Sequence, residues 1–157
     1  ILTFLNPERD PLGAGYQIIQ SKIAVGSGGI FGKGYLQGSQ SYLDYLPEKH
    51  TDFIFTLFSE EFGLLGSMGL LLIYVLIVYR IVRVGKRASN NFAKLYCFSF
   101  ATAFFIYVGV NMMMVLGLLP IVGAPLPIMS YGGSAMLSMM AGLGIVMSCK
   151  VHEKERK

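Results

Sequence analysis

Charged residues are scarce in this sequence. Asp, Glu, Lys and Arg together make up 14% of its 157 residues, whereas soluble domains carry about 25%. Hydrophobic residues account for 54% of the chain, and its mean hydropathy is +0.57. A chain of this length can form a single domain, but the composition excludes an ordinary soluble one. The sequence therefore predicts an all-α, polytopic helical membrane protein.

Cysteine is rare and an initiator methionine is absent. The two cysteines, Cys97 and Cys149, lie far apart in apolar segments. They could form a disulfide, but the favoured interpretation is that both are small hydrophobic side chains buried among the helices. The chain opens Ile-Leu-Thr-Phe-Leu, without the charged region and apolar core of a signal peptide. We expect it to be the C-terminal part of a longer polytopic protein.

Complete nucleotide-binding motifs are also missing. The glycine-rich stretch at 26–34 fails the P-loop pattern, because Ser27 stands where glycine is required and Gly34 stands where Ser or Thr is required. It also lacks the glycine spacing of a dinucleotide-binding loop. Its backbone amides could still bind a pyrophosphate, with charge supplied by Lys33 or Lys22. The alternative interpretation is a flexible turn.

Three long apolar runs occupy the rest of the chain. Residues 53–79, 95–119 and 126–149 are each long enough to cross a hydrocarbon core of about 30 Å. The predicted organisation is a loop, three transmembrane helices with two connections, and a tail: 1–51, 52–80, 81–94, 95–119, 120–126, 127–149 and 150–157. Within the first loop, the spacing of apolar residues at 16–25 predicts a short amphipathic helix at the membrane interface.

The basic residues are segregated along the chain, and this fixes the predicted topology. The turn at 120–127 has none, while two other segments hold nine: Arg80, Arg83, Lys86, Arg87, Lys94, Lys150, Lys154, Arg156 and Lys157. By the positive-inside rule, 81–94 and the tail are cytoplasmic, and the first loop is extracytoplasmic. The net charge of +4 therefore reflects topology and does not indicate a nucleic-acid partner.

Four ionisable residues cluster where the first loop enters the first span: Glu48, Lys49, His50 and Asp52. A carboxylate at the mouth of a membrane helix is costly to keep without a partner or a use. Asp52 suits a general base, and the alternative is an ion pair that caps the helix. Glu48, His50 and Asp52 together could also bind a divalent metal ion.

Small and polar residues recur at helical spacing after Asp52. Thr56, Ser59, Gly63 and Gly66 share its helix face. Such stripes allow close helix packing, so the pattern predicts that Asp52 points into a bundle of helices.

Two adjacent carboxylates, Glu60 and Glu61, would lie about two turns deeper along the same helix. Because they cannot both face lipid, we expect structural hydrogen bonding or ion pairing. Glu60 would then meet its partner in a part of the protein outside this chain.

Residues 6–16, 46–55, 60–63 and 125–134 resemble the motifs of the SEDS family (shape, elongation, division and sporulation), and the resemblance covers almost the whole chain. It is strongest to the rod-shape branch, because division branches carry a Lys in the stretch where this chain has Val122. The resemblance implies about ten transmembrane helices, of which this chain would hold the last three. It also implies a multi-pass protein of the bacterial inner (cytoplasmic) membrane.

The function implied by the resemblance is a peptidoglycan glycosyltransferase that polymerises lipid II, an undecaprenyl-pyrophosphate-linked disaccharide peptide. Its partners would be a class B penicillin-binding protein and the elongation machinery. Asp52 would be the catalytic residue of an inverting reaction. The supporting or substrate-binding residues would be Asp44, Glu48, Lys49, His50, Lys22, Lys33, Ser130, Gly132 and Gly133. No cofactor is implied with certainty, and a divalent metal ion could share the charge stabilisation.

Two other classes of function remain open from the sequence. A helical bundle with buried acids could transport lipid II across the membrane without polymerising it. Alternatively, it could be a scaffold that recruits a penicillin-binding protein. In either case we expect this part of the chain to be inactive alone.

Overall fold

The computed structural model describes residues 14–35 and 52–155, and all regular structure in these two ranges is helical. There are four helices: α1 (Ala14–Ser27), α2 (Ile54–Arg87), α3 (Asn91–Val115) and α4 (Gly133–Glu155). The prediction of an all-α membrane fold is confirmed. α2 extends eight residues beyond the predicted apolar run, and α4 begins at Gly133, six residues later than the predicted span.

Helices α2, α3 and α4 are long and apolar enough to cross a membrane. α2 has 34 residues, which is more than one crossing of about 30 Å needs at a rise of about 1.5 Å per residue. Its basic last turn, Lys86 and Arg87, lies at the end that the charge pattern assigns to the cytoplasm. The chain therefore belongs to a multi-pass membrane protein.

α2 is broken at Gly63, whose backbone angles are φ 66° and ψ −161°. We call residues 54–62 the short arm and residues 64–87 the long arm. The hydroxyl oxygens of Ser59 and Ser67 lie 2.9 Å apart, although residues eight apart in a straight helix are separated by about 12 Å along the axis. The short arm therefore bends back over the first turns of the long arm, and the stripe expected from a continuous helix ends at the break.

The largest apolar cluster joins both arms of α2 to α3 and to the turn before α4. Its fully buried members include Phe53, Phe104, Val115 and Leu126. Tyr74, on the long arm, belongs to the same cluster. Since Phe53 directly precedes the short arm, the start of that arm packs against this cluster.

A second apolar cluster lies toward the opposite end of the bundle, where α2, α3 and α4 meet. A Cβ on Gly85 of α2 would lie 2.9 Å from the Cβ of Cys97 in α3. Gly142 of α4 packs on the ring of Phe100 of α3, with no room for a side chain. Cys97 is fully buried, and Cys149 packs against the same cluster. Both cysteines are free thiols, as the favoured interpretation expected.

The helix predicted at 16–25 is present as α1, with longer bounds. Ile18, Ser21 and Ala24 form its buried face, which packs on α2 and α3. The hydroxyl of Ser21 donates to the carbonyl of Val115 at the end of α3 over 2.9 Å. Ile23, which was expected on the apolar face, is half exposed. α1 is therefore part of the bundle.

Candidate active site

Asp52 is half-buried and lies two residues before the short arm begins. Its backbone carbonyl accepts a hydrogen bond of 2.9 Å from the side-chain amide of Asn111 in α3. The N-cap position of α2 is Phe53, with no side-chain capping bond. Asp52 thus lies beside α3, with its side chain next to the α3–α4 turn. The sequence had suggested a straight helix with a continuous stripe of small residues, whereas α2 is broken at Gly63.

The turn between α3 and α4 forms one wall beside Asp52. Gly123 has a φ of 65°, and a Cβ built on it would lie 3.5 Å from Oδ2 of Asp52. The same amide of Asn111 that contacts Asp52 also donates to the carbonyl of Ala124 over 2.6 Å. The carboxylate therefore lies against a backbone surface that has no side chain at its nearest point.

The second half of this turn is strained and firmly held. Ile128 has a φ of 72°, a conformation that is a genuine outlier for a β-branched residue. Its neighbour Pro127 accepts a hydrogen bond of 2.7 Å from the hydroxyl of Tyr74 on the long arm. Strain of about 1–3 kcal/mol per residue persists only where surrounding contacts over-determine the backbone, and such residues cluster at functional sites.

Three predicted site residues, Ser130, Gly132 and Gly133, end this turn. Ser130 is buried, and its amide donates to the carbonyl of Leu126. The carbonyl of Gly132 accepts from the amide of Met136, and Gly133 is the first residue of α4. A cavity of about 170 Å³ lies beside Ser130, between this turn, Tyr107 of α3 and the first turns of α4. Their substrate-binding role stays a prediction.

The glycine-rich stretch fills the break in α2. The amides of Lys33 and Gly34 donate to the carbonyls of Glu60 and Glu61, over 3.0 and 3.1 Å. In return, the amides of Leu64 and Leu65 donate to carbonyls of Gly29 and Ile30, over 3.0 and 3.2 Å. Polar backbone groups freed by a break in a membrane helix need such partners.

Three glycines make this contact possible. A Cβ on Gly28, Gly32 or Gly63 would lie less than 2.5 Å from a backbone atom across the junction. The stretch is therefore a packed junction and not the flexible turn that was one interpretation. Because the amides of Lys33 and Gly34 are already bonded to carbonyls, they do not form a free pyrophosphate cradle.

Lys33 and Glu60 form an ion pair across the junction. Nζ of Lys33 lies 2.7 Å from Oε1 of Glu60, whose side chain is fully buried, while the Lys33 side chain is 31% exposed. The expectation that Glu60 finds its partner outside this chain is wrong, because Lys33 supplies one. Glu60 and Glu61 follow Asp52 by about two helical turns on the unbroken short arm, and their depth in the membrane stays a prediction.

Lys22, the other predicted cation, is an exposed residue of α1. A Cβ built on Gly117 would lie 2.8 Å from its Nζ, so the ammonium group lies at the C-terminal end of α3. Cations are favoured there by the helix dipole. Lys22 thus borders the turn that carries Gly123.

Comparison with known proteins connects this geometry to a family. A family model described as cell cycle protein, FtsW/RodA/SpoVE, matches residues 1–155. The chain belongs to this family. It is the family expected from the motifs, and the similarity to rod-shape members fits the predicted branch.

The chain is 53% identical over 154 residues to peptidoglycan glycosyltransferase MrdB of Escherichia coli strain K12, covering 98% of this chain and 42% of that relative. It is 41% identical to peptidoglycan glycosyltransferase RodA of Treponema pallidum, covering 98% of this chain and 35% of that relative. The chain therefore spans about two fifths of the length of these curated relatives.

Two solved structures share the fold. A chain from a peptidoglycan synthase complex, studied for its coordination of polymerization and crosslinking, matches with a TM-score of 0.76 and 31% identity, covering 98% of this chain and 40% of that one. A variant of rod shape determining protein RodA from Thermus thermophilus matches with a TM-score of 0.62 and 34% identity, covering 74% and 36%.

Four predicted residues of this FtsW/RodA/SpoVE chain, Asp44, Glu48, Lys49 and His50, lie outside the described residues. Of the proposed metal ligands, only Asp52 is described. Within 14–35 and 52–155, no three His, Cys, Asp or Glu side chains are grouped so that they could hold a metal ion. The supporting roles and the metal ion stay predictions.

Sequence reasoning missed Asn111, although it contacts Asp52 directly. It is fully buried and is the only amide side chain in the apolar run 95–119. A polar group placed in such a run is costly unless it is hydrogen-bonded. This was the signal that could have found it.

Proposed function

We propose that the full-length protein is an inverting peptidoglycan glycosyltransferase that polymerises lipid II during cell elongation. The observation that carries the proposal is the half-buried side chain of Asp52, which lies beside the α3–α4 turn while its backbone is bonded to Asn111 of α3. Relatives named peptidoglycan glycosyltransferases support it. The matched synthase complex supports a class B penicillin-binding protein as the partner.

In the proposed reaction, Asp52 is the general base. It takes the proton from the 4-hydroxyl of the acceptor GlcNAc as that oxygen forms a bond to C1 of the donor MurNAc. The bond from C1 to the pyrophosphate oxygen breaks, and undecaprenyl pyrophosphate leaves with the electron pair. One displacement converts the α-linked donor to a β-1,4 linkage, so one base is enough.

The proposed topology suits this substrate. With 81–94 and 150–157 in the cytoplasm, residues 1–51 and the α3–α4 turn face outward, where lipid-linked disaccharides are polymerised. The membrane would be the bacterial inner membrane. The cytoplasmic assignment is supported by exposed arginines at the end of α2, Arg80 and Arg83.

The leaving pyrophosphate requires positive charge. Lys22 is the better candidate, because it is exposed beside the α3–α4 turn. Lys33 binds Glu60, so its contribution would be to hold the short arm. A divalent ion remains a further proposal, and no step above depends on it.

The test is Asp52→Asn in the full-length protein with its penicillin-binding partner, assayed for polymer formation from lipid II in detergent. We expect polymer formation to fall at least about 100-fold, the usual lower range for loss of a general base, while expression and partner binding stay normal. Glu61→Gln is the matched control, since it neutralises another carboxylate on the short arm and should retain activity.

Two outcomes would contradict the proposal. Normal polymer yield from Asp52→Asn would remove Asp52 from the reaction. No polymer from the wild-type protein in detergent, together with lipid II movement across reconstituted vesicles, would favour the transporter alternative, because detergent offers no membrane to cross.

A further inference from the structure

Asn111 is a buried amide that the proposed mechanism does not use. It lies in α3, one turn before the helix ends at Val115, and its side chain is fully buried. A buried amide is costly unless its hydrogen-bonding groups are satisfied. The contacts that Asn111 makes therefore indicate why an otherwise apolar helix carries it.

Both hydrogen bonds from the Asn111 amide nitrogen go to backbone carbonyls. One is the carbonyl of Asp52, at 2.9 Å, and the other is the carbonyl of Ala124, at 2.6 Å. The nitrogen of an Asn side chain has two hydrogens to donate, and these two contacts use both. Two carbonyls on one atom also fix which side-chain atom is the nitrogen, because an oxygen there could not donate.

These two hydrogen bonds connect the segment at Asp52 to the turn at Gly123–Ala124. Asp52 is the residue that leads into the short arm, and Ala124 follows Gly123, which lies against Oδ2 of Asp52. The amide thus links the backbone of Asp52 to the turn that lies beside its carboxylate.

We propose that Asn111 is a positioning residue for Asp52, holding its backbone and the Gly123–Ala124 turn at a fixed separation so that the carboxylate meets the acceptor hydroxyl. This inference rests on the proposed function. A displacement of about 1 Å in such a site can lower a rate about 100-fold. A hydrophobic residue of similar volume would leave two carbonyls unpaired, and an aspartate would place oxygen against both.

The experiment measures kcat and KM for lipid II with the full-length protein and its penicillin-binding partner. We expect Asn111→Asp and Asn111→Leu to lower kcat about 10- to 100-fold with KM unchanged within about twofold. Asn111→Ser, which keeps one donor, should give an intermediate kcat. This variant decides the question if the other two fail to fold.

Ser21→Ala is the matched control. Ser21 is also fully buried and donates to a backbone carbonyl at the same end of α3, but it does not contact Asp52. We expect its melting temperature to fall while its kcat stays at the wild-type value. Equal effects of Ser21→Ala and the Asn111 variants on kcat would show a merely structural role and would overturn the inference.

Asp52→Asn in the same assay separates the two proposals. If that variant is inactive and Asn111→Ser has wild-type kcat and KM, the positioning inference is wrong and the proposed function stands. If Asp52→Asn is active, the proposed function itself fails.

Discussion

The break in α2 makes Gly63 the most informative position for a single substitution. Gly63→Ala adds one methyl group at backbone angles of φ 66° and ψ −161°. Its Cβ would collide with the amide nitrogen of Gly32 and would lie 2.7 Å from the carbonyl oxygen of Ile30. Neither neighbour is the end of a flexible side chain, so the backbone of the glycine-rich stretch must move away.

The cost follows from two effects. Holding a residue with a Cβ in this glycine-only conformation costs about 1–3 kcal/mol. Displacing the glycine-rich stretch also removes the four backbone hydrogen bonds between it and α2, at about 0.5–1.5 kcal/mol each. Together these effects destabilise the junction by roughly 3 to 9 kcal/mol. Even the lower end is a large part of the usual stability of a folded domain, about 5–15 kcal/mol.

The assay is thermal melting of the full-length protein in detergent, alongside lipid II polymerisation at a temperature where the variant is folded. We expect a melting temperature at least about 5 °C below wild type and a loss of activity, because Asp52 leads directly into the short arm. Gly69→Ala is the control, since a Cβ there meets nothing within 4 Å. If Gly63→Ala melts and polymerises like Gly69→Ala, the broken helix and the junction are wrong.

Two further predictions concern contacts that join distant segments. Lys33→Met should destabilise the protein by about 3–5 kcal/mol, because it leaves the buried Glu60 carboxylate without this cation. The double variant Lys33→Met/Glu60→Gln should lower the melting temperature by less than the sum of the single changes, and simply additive changes would contradict the pairing. Copper-phenanthroline oxidation should join Cys97 to Cys149 within one chain, because both pack in the same cluster. The disulfide is detected by mass spectrometry of the cross-linked peptide, with Cys149→Ser as the control. Persistence of both free thiols would contradict the packing of α3 on α4.

The spanning helices could be predicted because their signal is local. Apolar runs of sufficient length determine the number of spanning helices, while the orientation that the segregated basic residues indicate stays a prediction. The terminal residues were less predictable, since Leu126 is apolar but belongs to the turn before α4. Apolar character does not distinguish a buried turn from a helix.

The break at Gly63 could not be predicted from local sequence. Gly63, Gly66 and Gly69 follow one another at helical spacing in the same apolar run, and only the first is non-helical. The difference arises from Gly28 and Gly32, about thirty residues earlier, which allow a second backbone to approach and bond the freed groups. The partner of Glu60 was missed for the same reason.

The short arm connects these findings to the candidate site. At one end, the glycine-rich stretch and the Lys33–Glu60 pair hold it against the break. At the other end, Asn111 holds the backbone of Asp52 to the turn that carries Gly123. The position of the carboxylate thus depends on contacts at both ends of a nine-residue arm, and any rotation about Gly63 changes its distance from Gly123. The position of Asp52 is therefore set by two segments that are distant from it in sequence: the glycine-rich stretch at 26–34, and the end of α3 with the turn that follows it.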